Sequence, residues 1–371
     1  MFHNTARFEK SPPRNVLLLK GHSAGIGDLL RSSAAWRALH NRFPGTRLHV
    51  WFLTKDPGYP SEKLIAQHHL LSTFQVSDKR TEGRGVWPAL LRGARRIARE
   101  TQPELIIDCE PNGLRTTVLT WLLGRLTNAL TVGIAQVPTR GWFYGIASPS
   151  AREYAQRHGY PAPLEYAERD FVALAALGIE RNGTSIELRE SPEGKDFRER
   201  LYARLGGLSG PPLLGLNIGC GTPDAVWKRP DLDVLVQLVR ELRRRLPFRL
   251  VLTGAPFEKE INSQFRALCG NGDQVVDLAG ETDLVQLVGV ISACRLFISS
   301  DSGPYHMSVA LRVPTLAVFR FQNTEHYHHH DWVECQVAPD AQSVPALAAA
   351  AERLLQIPVS LSGSGAASRV T

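Results

Sequence analysis

The 371-residue chain has no apolar stretch near the roughly 20 residues that cross a bilayer, so no membrane-spanning helix is expected. Its opening, MFHNTARFEKSPPR, holds no apolar signal core; no secretion signal is expected, and the cytoplasm is the expected compartment. Cysteine is scarce. Cys109, Cys220, Cys269, Cys294 and Cys335 form an odd set without a Cys-x-x-Cys pair, which argues against a disulfide framework and for buried thiols in a reducing compartment. No nucleic-acid-binding motif accompanies the positive charge, so nucleic acid is not an expected partner.

That charge is what the sequence does hold, with 43 Lys and Arg against 36 Asp and Glu and a net +7. Much of it sits in LLRGARRIARE and RELRRRLPFR, arginines interleaved with apolar residues at helical spacing. The plain reading of either segment is a solvated helix face. The sharper one is a basic surface that meets anionic phosphates or an acidic membrane face.

Strand-like runs alternate with helical patterns along the chain. NVLLLK, RLHVWFL, STFQV, ELIIDC and TVGIA punctuate the first half, and PLLGLNIG, FRLVLTG, VVDLAG, RLFISSD and PTLAVF the second. Helical spacing fills the gaps, as in DLLRSSAAWRALHNRF, GVWPALLRGARRIARE, DLDVLVQLVRELRRRL and DLVQLVGVISAC. Two such series predict an α/β chain of two Rossmann-like parallel-sheet domains, with the ligand cleft between them. The polar stretch ELRESPEGKDFRERLYARLGGLSGPP reads as the boundary. The expected division is residues 1–190, residues 191–358 and a disordered tail at 359–371.

The loop GHSAGIGD, residues 21–28, has the glycine spacing of a short-chain dehydrogenase, but its context fails. The Tyr-x-x-x-Lys pair such enzymes need occurs only as Tyr59 to Lys63, too near the loop and with Pro60 inside, where a helical turn is not expected. Asp28, where the turn becomes a helix, would repel a docked pyrophosphate. Taken alone, Asp28 reads as an N-terminal helix cap.

In the second half, RLFIS leads into SDSGPYH, where a helix start offers the backbone N–H groups of Ser302 and Gly303 to a phosphate, with His306 one turn on. Lys228, in LNIGCGTPDAVWKRP, sits on a loop after a strand, a place for a cation that meets a diphosphate. Glu258, in LTGAPFEKE, lies just past a strand end, where a carboxylate can accept from ribose hydroxyls; Glu260 is close enough to take its place.

These segments, in this order, resemble glycosyltransferase family 9, the ADP-heptose:lipopolysaccharide heptosyltransferases, from about residue 15 to about residue 355. NVLLLKGHSAGIGDLLRSSAAWRALHNRFPG resembles the family's opening strand, its small-residue loop ending in Gly-Asp and its helix. WKRP resembles the Lys loop, LTGAPFEKE the Gly-x-x-x-Glu segment, VVDLAGETDLVQL the Asp-Leu-x-Gly strand and SSDSGPYH the Asp-Ser/Thr-Gly-x-x-His signature. The resemblance implies a GT-B fold, with an N-terminal acceptor domain and a C-terminal nucleotide-sugar domain. It implies an inverting transfer of heptose from ADP-heptose to a lipopolysaccharide core hydroxyl, with no metal or other cofactor required. By it, Asp28 is the general base and Lys228 neutralises the departing diphosphate, both catalytic. Glu258 holds the ribose, Thr282 borders the adenine, Asp301 holds the sugar or shapes its loop, and Ser302, Gly303 and His306 contact phosphate. Gly25 and Gly27 bring the first loop close to the sugars. The implied partners are the nucleotide-sugar donor, an anionic lipid-linked glycan acceptor and, peripherally, the inner face of the inner membrane.

Three other functions fit the same pattern: a related transferase with another nucleotide sugar or a protein or capsule acceptor, a nucleotide-sugar epimerase, and a non-catalytic nucleotide or glycan binder. Two departures from the family bear on the choice. The Asp28 loop is about two residues longer, and RFQNTEHYHHHDWVECQ replaces a Gly-Pro-Thr continuation after Phe319. The histidines at 326, 328, 329 and 330 lack helical metal-ligand spacing and read as a solvated loop. GWFYG, residues 141–145, reads as packing at a domain edge, with an acceptor-facing lip as the alternative.

Overall fold

The computed structural model describes Phe8 and residues 11–21, 25–80, 85–137, 139–161, 163–270 and 275–357. The expected tail at 359–371 and residues 22–24 of the glycine loop lie outside the described residues. The chain forms two units, one built from residues up to Ile186 with Thr324–His326, the other from Glu187 to Asn323 and from Tyr327 onward.

Unit 1 runs β1 (Asn15–Lys20), α1 (Ile26–Leu30), α2 (Ser32–Arg42), β2 (Arg47–Thr54), α3 (Pro60–Ala66), β3 (Thr73–Asp78), α4 (Trp87–Thr101), β4 (Leu105–Asp108), α5 (Leu114–Thr127), β5 (Leu130–Ile134), β6 (Ile146–Ser148), α6 (Ala151–His158) and α7 (Tyr166–Leu174). Unit 2 runs α8 (Pro192–Arg204), β7 (Leu213–Asn217), α9 (Leu232–Arg245), β8 (Arg249–Thr253), α10 (Lys259–Cys269), β9 (Val275–Asp277), α11 (Leu284–Ala293), β10 (Leu296–Ser299), α12 (Gly303–Ala310), β11 (Thr315–Phe319), β12 (Val333–Val337) and α13 (Val344–Gln356).

The sheets are orders β3-β2-β1-β4-β5-β6 and β12-β11-β10-β7-β8-β9. Every neighbouring pair is parallel. Read from its own first strand, each sheet has the doubly wound order, which reverses between β1 and β4 in unit 1 and between β7 and β10 in unit 2. A strand covered on both faces has no use for polar alternation, and all six residues of NVLLLK are buried. In unit 1, α4 and α5 lie side by side over one face, where Leu90, Ala94, Ile97, Leu119 and Leu123 meet Leu17, Leu19, Trp51 and Ile106. In unit 2, α9 and α13 play the same part over β7, β8, β10 and β11.

Several expectations are corrected. The pattern read as one helix from Asp28 breaks at Arg31, because Ser33 Oγ donates to the Leu30 carbonyl at 2.6 Å and competes with the helical ladder. Tyr59 and Lys63 do bracket a helical start, because Pro60 occupies the first position of α3, where its missing N–H costs nothing. The polar stretch read as the boundary begins where the two units divide, at Glu187. It contains α8, capped by Ser191 and packed on α11 where Gly194 meets Gly289; a Cβ on Gly289 would lie 2.0 Å from the Gly194 carbonyl oxygen. All five cysteines are free, and only Cys335 is less than fully buried.

Candidate functional site

In unit 2 the loops that follow β7, β8 and β10 gather at the point where strand order reverses. Asn217 ends β7 and accepts from Ser302 Oγ at 2.9 Å, while its own amide donates to Thr253 Oγ1 at 3.3 Å, so the three strand ends are fastened together. Asp301 follows β10. Its Oδ2 accepts from Lys228 Nζ at 2.9 Å and from Asn323 Nδ2 at 3.3 Å. Lys228 is the last residue of a 3-10 turn, Pro223–Lys228, and keeps 22% of its side chain exposed against 8% for Asp301. The ammonium group is thus held on the rim by one carboxylate, at a place where it can meet an anion. Beside it stand Ser302, the N-cap of α12, and Gly303, its first residue; the opening N–H groups of a helix have no intrahelical partner and carry partial positive charge.

Glu258 lies just past the end of β8, as expected, and is turned inward. It is 1% exposed, and its oxygens accept from the backbone N–H groups of Cys220 at 2.7 Å, Gly221 at 3.2 Å and Ala255 at 2.8 Å. Arg229 lies 3.7 Å away. The carboxylate shapes the β7 and β8 loops from within. Gly219 is what admits it, since a Cβ there would lie 1.7 Å from Glu258 Oε1. Glu260, the neighbour in question, instead accepts from Gln264 on the exposed side of α10. Thr282 is half-buried in the turn before α11, close to Gly280, whose N–H donates to the Gly254 carbonyl at 2.9 Å.

His306 lies in α12, but its side chain is buried and its Nδ1 shares a 2.9 Å hydrogen bond with His328 Nε2, one ring donating and the other accepting. The reading of residues 326–330 as solvated histidines is therefore corrected. Only His329 is exposed; His328 is buried, His330 stacks on Trp332 at 4.2 Å and His326 packs on Tyr166 at 4.5 Å. Sequence reasoning missed an aromatic pair beside Lys228, Trp227 and Phe321, both exposed and 5.7 Å apart. The signal was Trp227 itself, adjacent to the lysine.

In unit 1, Asp28 is not the helix cap. Gly25 takes that position, and Asp28 is the third residue of the short helix α1. Gly27 lies one residue before it and accepts at its carbonyl from the Arg31 N–H. The Asp28 carboxylate is 18% exposed and accepts from Arg31 Nη1 at 3.3 Å. Arg31 spreads over the ring of Tyr166 at 4.8 Å, and Arg169 reaches the same ring at 4.3 Å while pairing with Glu325. Burial and the negative charge of Asp28 push the Tyr166 hydroxyl above its ordinary value. Below this layer Lys20 and Asp170 form a buried ion pair at 2.8 Å. Burial alone would raise the Asp170 carboxyl, but Lys20 and Arg31 outweigh it and hold it below the usual range. The glycine loop is tied at its base as well, with Gly21 N–H donating to Glu110 at 2.9 Å and Lys79 donating to the Gly21 carbonyl at 2.6 Å.

Asp108 ends β4 in a closed network that the sequence did not advertise. Its carboxylate accepts from Tyr144 Oη at 2.6 Å and Arg140 Nη2 at 2.9 Å, and Arg140 Nε donates to Thr117 Oγ1 at 2.7 Å. Burial pushes the Asp108 carboxyl up to about 6, although Arg140 and Tyr144 both pull it down. An acid whose folded value is raised is best tolerated below its unfolded value, near 3.9, and loses stability as the pH climbs through the folded value. Relative to Asp108→Asn, which does not titrate, the natural chain should lose roughly 3 kcal/mol of unfolding free energy between about pH 4 and about pH 7. Urea unfolding across that range checks it; parallel pH profiles for the two proteins would reject the assignment.

Residues 121–339 match glycosyltransferase family 9 (heptosyltransferase). A lipooligosaccharide heptosyltransferase 2 of Campylobacter jejuni is 29% identical over 155 residues, 42% of this chain and 48% of that protein. The match thus spans about half the length of this curated relative. Among solved structures, a family 9 glycosyl transferase from Veillonella parvula superposes with a TM-score of 0.68 at 18% identity, covering 92% of this chain and 97% of that one. An ADP-heptose LPS heptosyltransferase II from E. coli gives 0.65 at 16% identity, covering 92% and 98%. Those structures share the fold, two parallel six-stranded α/β units of the GT-B kind. With the family match covering more than half of its length, the chain belongs to glycosyltransferase family 9.

Proposed function

We propose that the protein transfers a heptose from ADP-heptose to a hydroxyl of a lipid-linked lipopolysaccharide core acceptor, with inversion and without a metal ion. The observation that carries the reading is the Lys228–Asp301 pair at the strand-order reversal of unit 2, beside the start of α12. A cation and a helix N-terminus are suited to the two phosphates of a nucleoside diphosphate, and they can stabilise the charge that grows on it as the bond to the sugar breaks.

In this mechanism the Asp28 carboxylate accepts the proton of the acceptor hydroxyl, whose oxygen bonds to the anomeric carbon as the carbon–oxygen bond to the diphosphate breaks. ADP leaves carrying that electron pair, held by Lys228 and the N–H groups of Ser302 and Gly303. Glu258 serves indirectly by fixing the loop that would meet the ribose, and Thr282 borders the base. Asp301 holds Lys228 in place and shapes the sugar end. His306 lies in α12, hydrogen-bonded to His328. The acceptor is taken up by unit 1, near the loop of Gly25 and Gly27. The working place of such an enzyme is the cytoplasmic face of the inner membrane.

A thermal-shift panel with ADP, UDP, GDP and NADH tests the donor. A ligand present at 100 times its dissociation constant should stabilise the native state by about 2.7 kcal/mol. ADP should give the dominant shift. Dominance by UDP or GDP would discard the ADP-sugar, and dominance by NADH would discard the transferase.

A further inference from the structure

Helix α5 carries large apolar residues on both its sides. Thr116, Thr117 and Thr120 face the sheet with Leu119 and Leu123, while Leu114, Trp121 and Leu126 point to solvent with Arg125. Thr116 and Thr117 return their hydroxyls to the Gly113 carbonyl, at 2.8 and 2.9 Å, whereas the buried Thr120 hydroxyl has no hydrogen-bond partner among the described residues. Outside, Trp121 is 43% and Leu114 72% exposed, with the Arg125 guanidinium 5.7 Å from the Trp121 ring. Next to this helix, the 3-10 turn Arg140–Phe143 carries Trp142, 84% exposed, and Phe143. The expectation that GWFYG packs inward holds for Tyr144 alone and is corrected for Trp142 and Phe143. Their exposure is not slackness, since Arg140 and Tyr144 on either side are locked by Asp108 and Thr117. A helix that leaves Leu114, Trp121 and Leu126 outward, beside an exposed Trp142, marks a surface meant to be covered.

The neighbouring helix supplies charge. The outward side of α4 presents Arg92, Arg95, Arg96 and Arg99, which with Glu100 line a groove of about 390 Å³. α4 and α5 pack side by side over one face of the sheet, so arginine stripe and apolar stripe belong to the same side of unit 1. Tryptophan set beside arginine is the composition of a surface that lies at a lipid interface, with rings among the headgroups and guanidinium groups on phosphate. A second copy seated two-fold on α5 would bring the two arginine stripes toward the same interface with only Glu100 among the groove residues to offset them, so self-association fits the charge poorly.

We propose that the outer faces of α4 and α5, with the Trp142 turn, dock this protein on an anionic bilayer. Trp121, Trp142 and Phe143 enter the interface and the α4 arginines bind lipid phosphates. The docking surface goes beyond the transfer reaction and rests on that reading only in taking the acceptor to be membrane-borne. Its geometry ties the two together within unit 1, because α5 starts from the β4 loop whose Glu110 holds Gly21 at the base of the Asp28 loop.

The test is sedimentation of the purified full chain with vesicles of phosphatidylcholine alone or mixed with phosphatidylglycerol. The chain should partition onto the anionic vesicles and be released by salt. Trp121→Ser with Trp142→Ser, and separately Arg92→Gln with Arg95→Gln and Arg99→Gln, should each weaken partitioning by roughly tenfold. Thermal unfolding of both variants should match the natural chain, since the altered side chains lie outside the core. Absence of vesicle binding, or binding that neither variant weakens, would overturn the proposal. Light scattering that shows a dimer lost in the tryptophan variant would overturn it too, by making the face an interface between copies. Transfer to a soluble, delipidated core oligosaccharide should be equal in natural chain and variants; failure of transfer in all of them would count against the proposed reaction and leave the docking result standing.

Discussion

Replacing Asp28 by Asn should lower kcat by about 10²- to 10⁴-fold, the range that a positioned general base contributes, while ADP binds with nearly unchanged affinity. The substitution keeps the shape of the side chain and its place as third residue of α1, and removes only the ability to take a proton. Arg31, 3.3 Å from the carboxylate, keeps an amide oxygen to donate to, so the local fold should persist. A coupled assay for released ADP gives kcat, and calorimetric titration of ADP gives the affinity. Transfer that continues at the natural rate would remove Asp28 from the mechanism. A loss of ADP affinity as large as the loss of kcat would mean that the residue organises binding and does no proton transfer.

The second large effect belongs to Glu258. Truncation to Ala should cost about 3–5 kcal/mol of unfolding free energy, since it strips a buried carboxylate from three backbone N–H groups and leaves Arg229 without its partner. Gly219→Ala should act on the same point from the other side, because its new Cβ would occupy the position of Glu258 Oε1. Both variants should weaken ADP binding together with stability, as the loops after β7 and β8 lose their common brace. Urea unfolding and ADP titration measure the two quantities. A Glu258→Ala protein within about 0.5 kcal/mol of the natural one would show that the carboxylate is not structural, and would leave only the ribose-holding role that the resemblance implies.

All ten strands read from the sequence are present; the central ones, buried on both faces, announce themselves as apolar runs, whereas β3 and β9 lie half-buried at sheet edges. The two that escaped notice, β6 and β12, sit at sheet edges. IAS is too short to show a pattern, and VECQV alternates in the manner of a half-buried strand but over only five residues. The places of the candidate residues were legible where they follow a strand, Asp301 soon after β10 and Lys228 at the end of the 3-10 turn beyond β7. What a carboxylate does once there was not legible. Glu258 was found at its strand end, yet the glycine that lets it turn inward is some forty residues away in sequence, and only the fold brings the two together. Helix α5 was hidden for a related reason. Its residues suit a buried helix, and the sequence carries no mark of which side meets the sheet.

The contact of Gly194 with Gly289 limits how this chain can be divided. α11 is buried along nearly its whole length, and α8 lies across it at backbone-to-backbone distance. The polar stretch before β7 looks expendable, yet a truncation that began unit 2 at its first strand would uncover the side of α11 that α8 now shields. Such a fragment would retain every residue assigned to the nucleotide and still aggregate for want of a cover that binds no substrate.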